Sequence, residues 1–572
     1  MSAPQSRSPV VRWLYNHNPF YAISAVLILH AFQSAYAHVP IGEINVSLLT
    51  GILVLYTLLL AILGVLIVRF GQVWEDARSI FVILLVLFLA VSVSADELFV
   101  TDATAGGAAI VLFGGYLLSA GISEAILRFA RIRLSGWYRV PYHLLLALFF
   151  IAPWWVSPTL HSRTLDELER AILLFPVAAA AILLMLLPAV RKGPDCVAGN
   201  GTPWRWPWFP WTLFGVLIPA VCLRSFVLAM AFDPRGPMWI ELKSGGRLIS
   251  FDIMWEPYFL IPPLFAVLML LFEAALTTGN IRLLQWCLKS APLLLGLALP
   301  WLDGQVSREF LSVVTREIGS PLWWTLLMLV GFYAVAVLRR VRWAEYGLAG
   351  SILGISVIGP STTSPWALTV PQAWPLLLVG MAALILGLRR GTSQAALAGW
   401  VLTIAGLWLA LPESVLARYR FLTCYHLGAA GVMALGFLFH DRLAEQLRIV
   451  GAVQFPLASI AAMAAPQAAG VSLVWRSAYV FALTILCWGI ARTFRSRTYF
   501  FAFLGQIALG CYALIAVGFQ GGIQRLGRRA VTAFLWSVGT FGIGALISAH
   551  KANWLPRRLI PAWLNGRHSR SK

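Results

Sequence analysis

The sequence predicts an all-α, polytopic membrane protein with about eighteen (roughly 16–18) transmembrane helices. Of the 572 residues, 60% are hydrophobic and only 12% are charged, whereas an ordinary soluble domain is about one quarter charged. The mean hydropathy is +0.80. Apolar windows of the ~20 residues that a helix needs to cross a bilayer recur from end to end. We therefore expect residues 1–572 to form a single transmembrane domain without a soluble domain.

Each apolar window marks one candidate span, because a helix satisfies its own backbone hydrogen bonds in lipid. The windows are residues 20–37, 48–68, 80–100, 107–127, 140–157, 171–190, 211–232, 258–278, 288–302, 321–338, 344–359, 372–388, 394–411, 422–440, 451–466, 474–491, 498–518 and 530–548. The first window ends in Ala35-Tyr36-Ala37, a pattern that also suits a cleaved signal peptide. A retained first span is favoured, because further spans follow at once.

The charges are distributed unevenly between alternate loops. With the N terminus in the cytoplasm, the cytoplasmic segments hold 29 Lys/Arg and 7 Asp/Glu, and the outer segments hold 13 and 15. This is the positive-inside pattern, so it predicts the bacterial cytoplasmic (inner) membrane and two cytoplasmic termini. It also explains the net charge of +20 without a nucleic-acid partner. The last pair of spans does not follow this pattern, because Arg525, Arg528 and Arg529 in the loop between them are assigned to the outer side.

The C-terminal tail, 551–572, carries six basic and no acidic residues. We expect it to lie in the cytoplasm, where it can bind anionic lipid of the bilayer. The six cysteines form no CxxC pair and lie near no histidine cluster, so the sequence predicts no metal site, disulfide framework or cofactor.

Two connecting segments are longer and more distinctive than the rest. The segment 195–211 is rich in Trp and Pro, and we expect it to be an interfacial cytoplasmic segment because a Pro-broken stretch cannot form a regular helix. The segment 233–256 is expected on the outer side. Ser244-Gly245-Gly246 in it suits a turn, and the alternation through Ile249, Phe251 and Ile253 predicts a β-hairpin.

Three short runs carry a family resemblance. They are Asn200-Gly-Thr-Pro-Trp-Arg-Trp-Pro-Trp-Phe-Pro-Trp211, Trp255-Glu-Pro-Tyr258 and Asn18-Pro19-Phe20. Together they resemble uncharacterised multi-pass membrane proteins of planctomycete-type bacteria, although they cover a small part of the chain. The resemblance implies an inner-membrane location and no known activity, so no functional residue can be carried over from it.

Two charged residues of opposite sign lie well inside apolar windows. Arg224 is thirteen residues past Trp211, about 20 Å along a helix, and an arginine at that depth is a functional candidate unless it reaches the interface or bonds a carbonyl. Glu273 lies five residues before the end of its window. Because the two differ in depth by roughly 10 Å, a direct salt bridge between them is not expected.

Further polar candidates lie in the first and fourth windows. His30, Gln33 and Ser34 share one face of the first span, where they suit either a proton relay or hydrogen bonds between helices, the second being favoured. Glu124 and Arg128 have the i, i+4 spacing of a local ion pair.

Three carboxylates, Asp96, Glu97 and Asp102, follow the third span on the expected outer side. They suit cation binding or acid–base chemistry. An ordinary acidic loop that follows the topology is the favoured alternative.

These features support three functions. The first is secondary transport or translocation of a small anionic or lipid-linked molecule, based on Arg224, Glu273 and His30. The second is a membrane-embedded transferase that acts on a lipid-linked substrate at the outer face, based on Asp96, Glu97 and Asp102. The third is a non-catalytic scaffold subunit. The sequence contains no nucleotide-binding or hydrolase motif, so ATP hydrolysis is not expected and an enzyme is less favoured than a transporter.

Overall fold

The computed structural model divides the chain into two compact units, Met1–Gln372 and Ala373–Lys572, where the sequence predicts a single domain. The structure describes residues 19–38, 46–94, 96, 105–157, 165–232, 239–241, 247–249, 254–301, 304–363, 371–411, 417–464 and 471–552. Within these residues, fifteen helices are long and apolar enough to cross a membrane. The fold class is therefore the all-α polytopic membrane bundle that the composition predicts.

Unit 1 is built from fourteen α-helices among its described residues. They are α1 Phe20–His38, α2 Val46–Leu66, α3 Trp74–Ser94, α4 Ala105–Phe129, α5 Gly136–Val156, α6 Leu165–Leu184, α7 Leu187–Lys192, α8 Trp208–Phe232, α9 Ile261–Thr278, α10 Ile281–Ser290, α11 Leu294–Leu297, α12 Gln305–Ile318, α13 Pro321–Leu338 and α14 Ala344–Val357. Local sequence sets several helix starts. For example, Ser320 accepts a hydrogen bond from the Trp323 N–H at the start of α13, which satisfies a free helix donor.

The core of unit 1 is centred on α6, which packs against α5, α8 and α9. Ala179 of α6 is completely buried, and small residues at such contacts let helix backbones approach closely in lipid. Phe149 of α5 packs edge-on against Phe175 of α6, with the ring centroids 5.8 Å apart. The helices that carry the predicted intramembrane charges, α8 and α9, are therefore held in a dense aromatic core.

A short β-hairpin lies in the connection between α8 and α9. Strand β1, Trp239–Glu241, pairs antiparallel with β2, Arg247–Ile249, so that Trp239 faces Ile249 and Glu241 faces Arg247. We call the end of unit 1 at which α8 and α9 are joined the hairpin end.

The window at 288–302 is not a continuous helix, which corrects the prediction of a regular span there. After α9, the chain forms α10, a 3-10 turn at Ala291–Leu293 and the single turn α11. It nevertheless returns along α9, because the Trp301 N–H donates to the Glu256 carboxylate at the hairpin end. Tyr333 of α13 donates to the Leu288 carbonyl at 2.7 Å along the way, and protein contacts of this kind are what allow a broken helix at membrane depth.

Two more windows coincide with helices that are not among those fifteen. They are the apolar helices Phe20–Ala31, which lies within α1, and Ala344–Val357. The fifteen long helices, these two and the broken segment account for the eighteen windows, although the number that actually cross the membrane stays a prediction.

The Trp/Pro-rich segment folds against the helix ends of unit 1 without forming a regular helix before Trp208. The Asn200 side chain accepts hydrogen bonds from the Thr202 N–H and hydroxyl, at 2.8 and 3.0 Å, and donates to the Trp204 carbonyl. Gly201 has a φ of +78°, and a β-carbon there would overlap the Arg131 carbonyl oxygen. Since the Asn200 amide is engaged and buried, its Asn-Gly-Thr run is a structural turn.

Unit 2 consists of seven α-helices among its described residues. They are α15 Ala373–Arg390, α16 Ser393–Ala410, α17 Ala417–Leu438, α18 Arg442–Ala464, α19 Leu473–Thr493, α20 Arg497–Leu526 and α21 Arg528–Lys551. Asp441 links two of them, because its carboxylate accepts hydrogen bonds from the Ser393 hydroxyl and from the Ala444 N–H. These hydrogen bonds, that of Ser393 first, lower the pKa of Asp441 below its ordinary value.

Glycines bring α15 and α16 into direct backbone contact. A β-carbon on Gly399 of α16 would overlap the backbone of Leu384, and one on Gly387 of α15 would overlap the backbone of Ala396. This is the packing of small residues that draws membrane helices together.

Candidate functional site

Arg224 forms a buried ion pair with Asp96. The Arg224 Nη2 donates to Asp96 Oδ1 at 2.7 Å and its Nη1 donates to Oδ2, which is the bidentate geometry that a guanidinium favours. Only 1% of the Arg224 side chain and 7% of the Asp96 side chain are exposed. Asp96 lies just beyond the end of α3, so this pair, which we call the Asp96 pair, joins α3 to the middle of α8.

The surroundings of the Asp96 pair are apolar, because Val221 and Leu228, the neighbours of Arg224 on the same face of α8, are completely buried. The Arg224 Nε has no hydrogen-bond partner among the described residues. Each charge therefore depends on the other, because removal of one would leave its partner unneutralised in a low-dielectric core.

Glu273 is the centre of a second network. Its Oε1 accepts hydrogen bonds from Arg191 Nη2 at 2.8 Å and Nε at 3.2 Å, and from Arg339 Nη2 at 3.2 Å. Only 3% of the Glu273 side chain is exposed, against 50% for Arg191 and 45% for Arg339. The Glu273 cluster, as we call these three residues, joins α7, α9 and the end of α13, and its arginines reach the surface.

The Asp96 pair and the Glu273 cluster lie toward opposite ends of unit 1. Arg224 is eight residues from the end of α8 that leads to the hairpin, about 12 Å along a helix. Glu273 is five residues from the far end of α9, about 7.5 Å along a helix. The two residues thus have separate partners, as their difference in depth predicts.

The other residues predicted for an intramembrane site are not brought to Arg224. His30 is exposed on α1, and Ser34 on the same helix is partly buried. Nothing is described of the Gln33 side chain, and Glu97 and Asp102 lie outside the described residues. Of the three predicted outer-face carboxylates, Asp96 is thus the one the structure places, and it is engaged with Arg224 in the protein interior.

The predicted local pair of Glu124 and Arg128 is wrong. Glu124 of α4 binds two residues of α5, with Arg139 Nε donating to Oε1 at 2.7 Å and His143 Nε2 also 2.7 Å from Oε1. Arg128 points to the exposed side of the same helix end. Packing of α4 against α5 therefore decides the pairing, which i, i+4 spacing within one helix cannot reveal.

A third polar group lies at the hairpin end and is not evident from the sequence. Glu169 of α6, Glu256 and Tyr258 are all buried there, and α6 packs against the 3-10 turn Pro257–Leu260. The Tyr258 hydroxyl has no hydrogen-bond partner among the described residues. Its ring packs against those of Phe259 and Phe310, at centroid distances of 5.3 and 6.4 Å, and the two Phe rings also stack on each other.

The sequence does not predict which residues pair with Arg224 and Glu273. The partners are Asp96, Arg191 and Arg339, and all three lie at the ends of candidate windows. Charges at span ends usually satisfy topology alone. Their positions along the helices could identify them, because Asp96 and Arg224 lie toward the hairpin end of unit 1, whereas Arg191, Arg339 and Glu273 lie toward the opposite end.

Comparisons of the chain with protein-family models, with curated proteins and with solved structures find no match.

Proposed function

We propose that this protein is a secondary transporter of the bacterial inner membrane that moves a small anionic or lipid-linked molecule. In this proposal the Asp96 pair and the Glu273 cluster are gates at the two ends of unit 1. The observation that carries the proposal is the bidentate burial of Arg224 with Asp96 inside a membrane bundle.

A buried ion pair is an expensive way to hold two helices together. Replacement of such a pair by apolar residues is often neutral or stabilising, and ionisable residues inside membranes generally serve ion or substrate movement. An ion pair can be broken by protonation or by a competing ligand, so it suits a helix contact that must open during transport. The pair between α3 and α8 has that property, whereas the apolar contacts of α6 do not.

The positions of the two networks support alternation between two closed ends. The Asp96 pair closes the helices below the hairpin end, and the Glu273 cluster closes α7, α9 and α13 near the other end. An anion that approaches Arg224 would compete with Asp96 for the same guanidinium donors. Substrate binding would then break the Asp96 pair and open the gate. The substrate would bind the open state more tightly than the closed state, which a ligand-driven conformational change requires.

The orientation belongs to the proposal as well. The positive-inside bias places both termini and the Glu273 cluster on the cytoplasmic side, and the hairpin end on the outer side. The half-exposed Arg191 and Arg339 would then face the cytoplasm.

Side-specific cysteine labelling tests the gates without knowledge of the substrate. Ser225→Cys and Ala275→Cys place thiols at positions that are 1% exposed, next to the two networks. We expect Asp96→Asn to increase labelling of the first thiol by an impermeant reagent from the outside only. Glu273→Gln should increase labelling of the second from the inside only. Glu445→Gln, which changes an exposed carboxylate of α18, is the matched control and should change neither.

Proteoliposomes that contain radiolabelled small anions or a fluorescent anionic phospholipid supply the second measurement. Both gate variants should lower the flux of the transported molecule, and the control variant should not. Loss of thermal stability in Asp96→Asn and Glu273→Gln without side-specific labelling would show that the networks are structural, and the proposal would fail.

One observation favours the transferase as a second candidate. Glu169 and Glu256 are both buried at the hairpin end, where α6 packs against the turn that contains Tyr258, and two buried carboxylates suit acid–base chemistry. If the protein is a transferase, Glu256→Gln should abolish transfer from a polyprenyl-phosphate sugar donor in vesicles. The Asp96 pair would then have no side-specific effect on labelling.

A further inference from the structure

A pocket lies at the end of unit 1 opposite the hairpin, beneath the Trp/Pro-rich segment. Its walls come from α3, α4, α5 and the start of α8, and its cavity volume is about 70 Å³. Phe81, Phe88 and Ile126 are among the apolar side chains that line it, and Trp204 covers part of it. The pocket is partly open to the outside of the bundle.

The polar groups of the pocket are few and lie in two places. Ser123 and Tyr142 line it as a mutually hydrogen-bonded pair, with the two hydroxyl oxygens 2.8 Å apart. The Ser123 hydroxyl donates to the Ser119 carbonyl, so the Tyr142 hydroxyl supplies the hydrogen between the pair. Arg78 also lines the pocket, and it is exposed, with its guanidinium 5.7 Å from the centre of the Trp208 ring. The pocket thus combines an apolar interior with a cation at the surface.

The segments around the mouth of the pocket are predominantly basic. Residues 72–78, 128–134 and 200–211 together contain five arginines, Arg78, Arg128, Arg131, Arg133 and Arg205. They contain two acidic residues, Glu75 and Asp76, both in the first turn of α3, where a carboxylate complements the helix dipole. The net charge around the mouth is therefore positive.

We propose that this pocket binds an anionic phospholipid, with an acyl chain between α3 and α4 and the phosphate at Arg78. An apolar cavity that opens beside a guanidinium and exposed tryptophans matches the two halves of such a lipid. A soluble anion would leave the phenylalanine-lined interior unfilled, and a zwitterionic lipid would leave the basic mouth without its counter-charge. The inference is independent of the transport function, since it uses none of the residues of the two networks.

Native mass spectrometry of the purified, delipidated full chain tests the site. The protein is titrated with phosphatidylglycerol and with phosphatidylcholine of the same acyl chains, and the bound lipids are counted. Both lipids offer a phosphate to Arg78, but the choline cation of phosphatidylcholine cancels the net negative charge and is repelled by the basic mouth. We therefore expect one phosphatidylglycerol molecule to bind roughly tenfold or more tightly than phosphatidylcholine.

Two variants test the contact with the lipid headgroup and the contact with the acyl chain separately. Arg78→Gln, at an exposed position, should remove the preference for phosphatidylglycerol. Leu213→Trp, which places an indole in the pocket wall, should weaken binding of both lipids. Arg282→Gln, an exposed arginine on α10 outside the pocket, is the matched control and should retain the wild-type preference.

Three results would overturn the proposal. The first is equal binding of the two lipids to the wild type. The second is an unchanged preference in Arg78→Gln. The third is displacement of phosphatidylglycerol by inorganic phosphate or glycerol phosphate, which would show a simple anion site. Thermal unfolding of each variant in detergent distinguishes a blocked pocket from a misfolded chain.

Discussion

At the scale of single residues, the sequence predicts which charges are buried but not which residues neutralise them. Arg224 and Glu273 are recognisable in the sequence because each interrupts an apolar window. The partners that neutralise them come from distant parts of the chain, 128 residues away for Asp96 and 82 and 66 residues away for Arg191 and Arg339. Which helix packs beside which is not encoded in spacing along one helix, so the charges are predictable and their partners are not.

The Asp96 pair leads to a stability prediction at this scale. Arg224→Met should destabilise the protein by about 3–5 kcal/mol, because it leaves the Asp96 carboxylate buried without a counter-charge. The double variant Arg224→Met/Asp96→Leu should recover most of that loss, since apolar replacement of a buried pair is often neutral or better. Thermal unfolding in detergent, followed by intrinsic fluorescence, measures both. Equal instability of the single and double variants would contradict the assignment of the pair.

At the scale of helices, composition predicts which segments are helical better than it predicts whether each helix is unbroken. The window at 288–302 has the hydropathy of a span, yet Pro292 and the preceding polar residues divide it into α10, a 3-10 turn and α11. In contrast, α2 and α9 form continuous helices that are close to their windows. Interruptions of this kind depend on whether neighbours such as Tyr333 can satisfy the freed carbonyls, and hydropathy does not report that.

The contact of α15 with α16 gives a prediction for unit 2. Gly399→Ala should destabilise the protein by about 1–3 kcal/mol, because the added methyl group overlaps the backbone of Leu384 and Gly380 and the helices must separate. Gly489→Ala is the matched change in α19, where no atom lies within 4 Å of the new β-carbon.

The Gly489→Ala control should be neutral or slightly stabilising, by up to about 1 kcal/mol, because alanine has the higher helix propensity. Thermal unfolding compares the two variants. Similar melting temperatures for both would show that α15 and α16 do not approach as closely as described.

At the scale of the whole molecule, the sequence predicts a topology that depends on every crossing. The broken segment α10–α11 is the critical one, because the loops that follow change sides if it fails to cross. The Trp301 contact with Glu256 shows that this segment spans the length of α9. The path of the chain through α10–α11 is therefore consistent with the charge bias of the loops, although this segment is not one continuous helix.

Labelling from the two sides of the membrane checks that path. Arg282→Cys on α10 and Ser312→Cys on α12 are exposed positions on either side of the break. We expect an impermeant thiol reagent to reach the first from the cytoplasmic side and the second from the outer side, above the background of the six native cysteines. Labelling of both from one side would mean that residues 281–301 turn back within the membrane.

The separation of Asp96 from Arg224 along the chain also orders their synthesis. The ribosome makes α3 and its carboxylate well before α8, so Asp96 is already available as a counter-charge when Arg224 is made. A lone carboxylate just past the end of a span can wait in water, whereas an arginine in the middle of a span must be neutralised as it enters. We therefore expect the insertion of α8 to depend on the helices made before it, because Asp96 supplies the counter-charge that Arg224 needs.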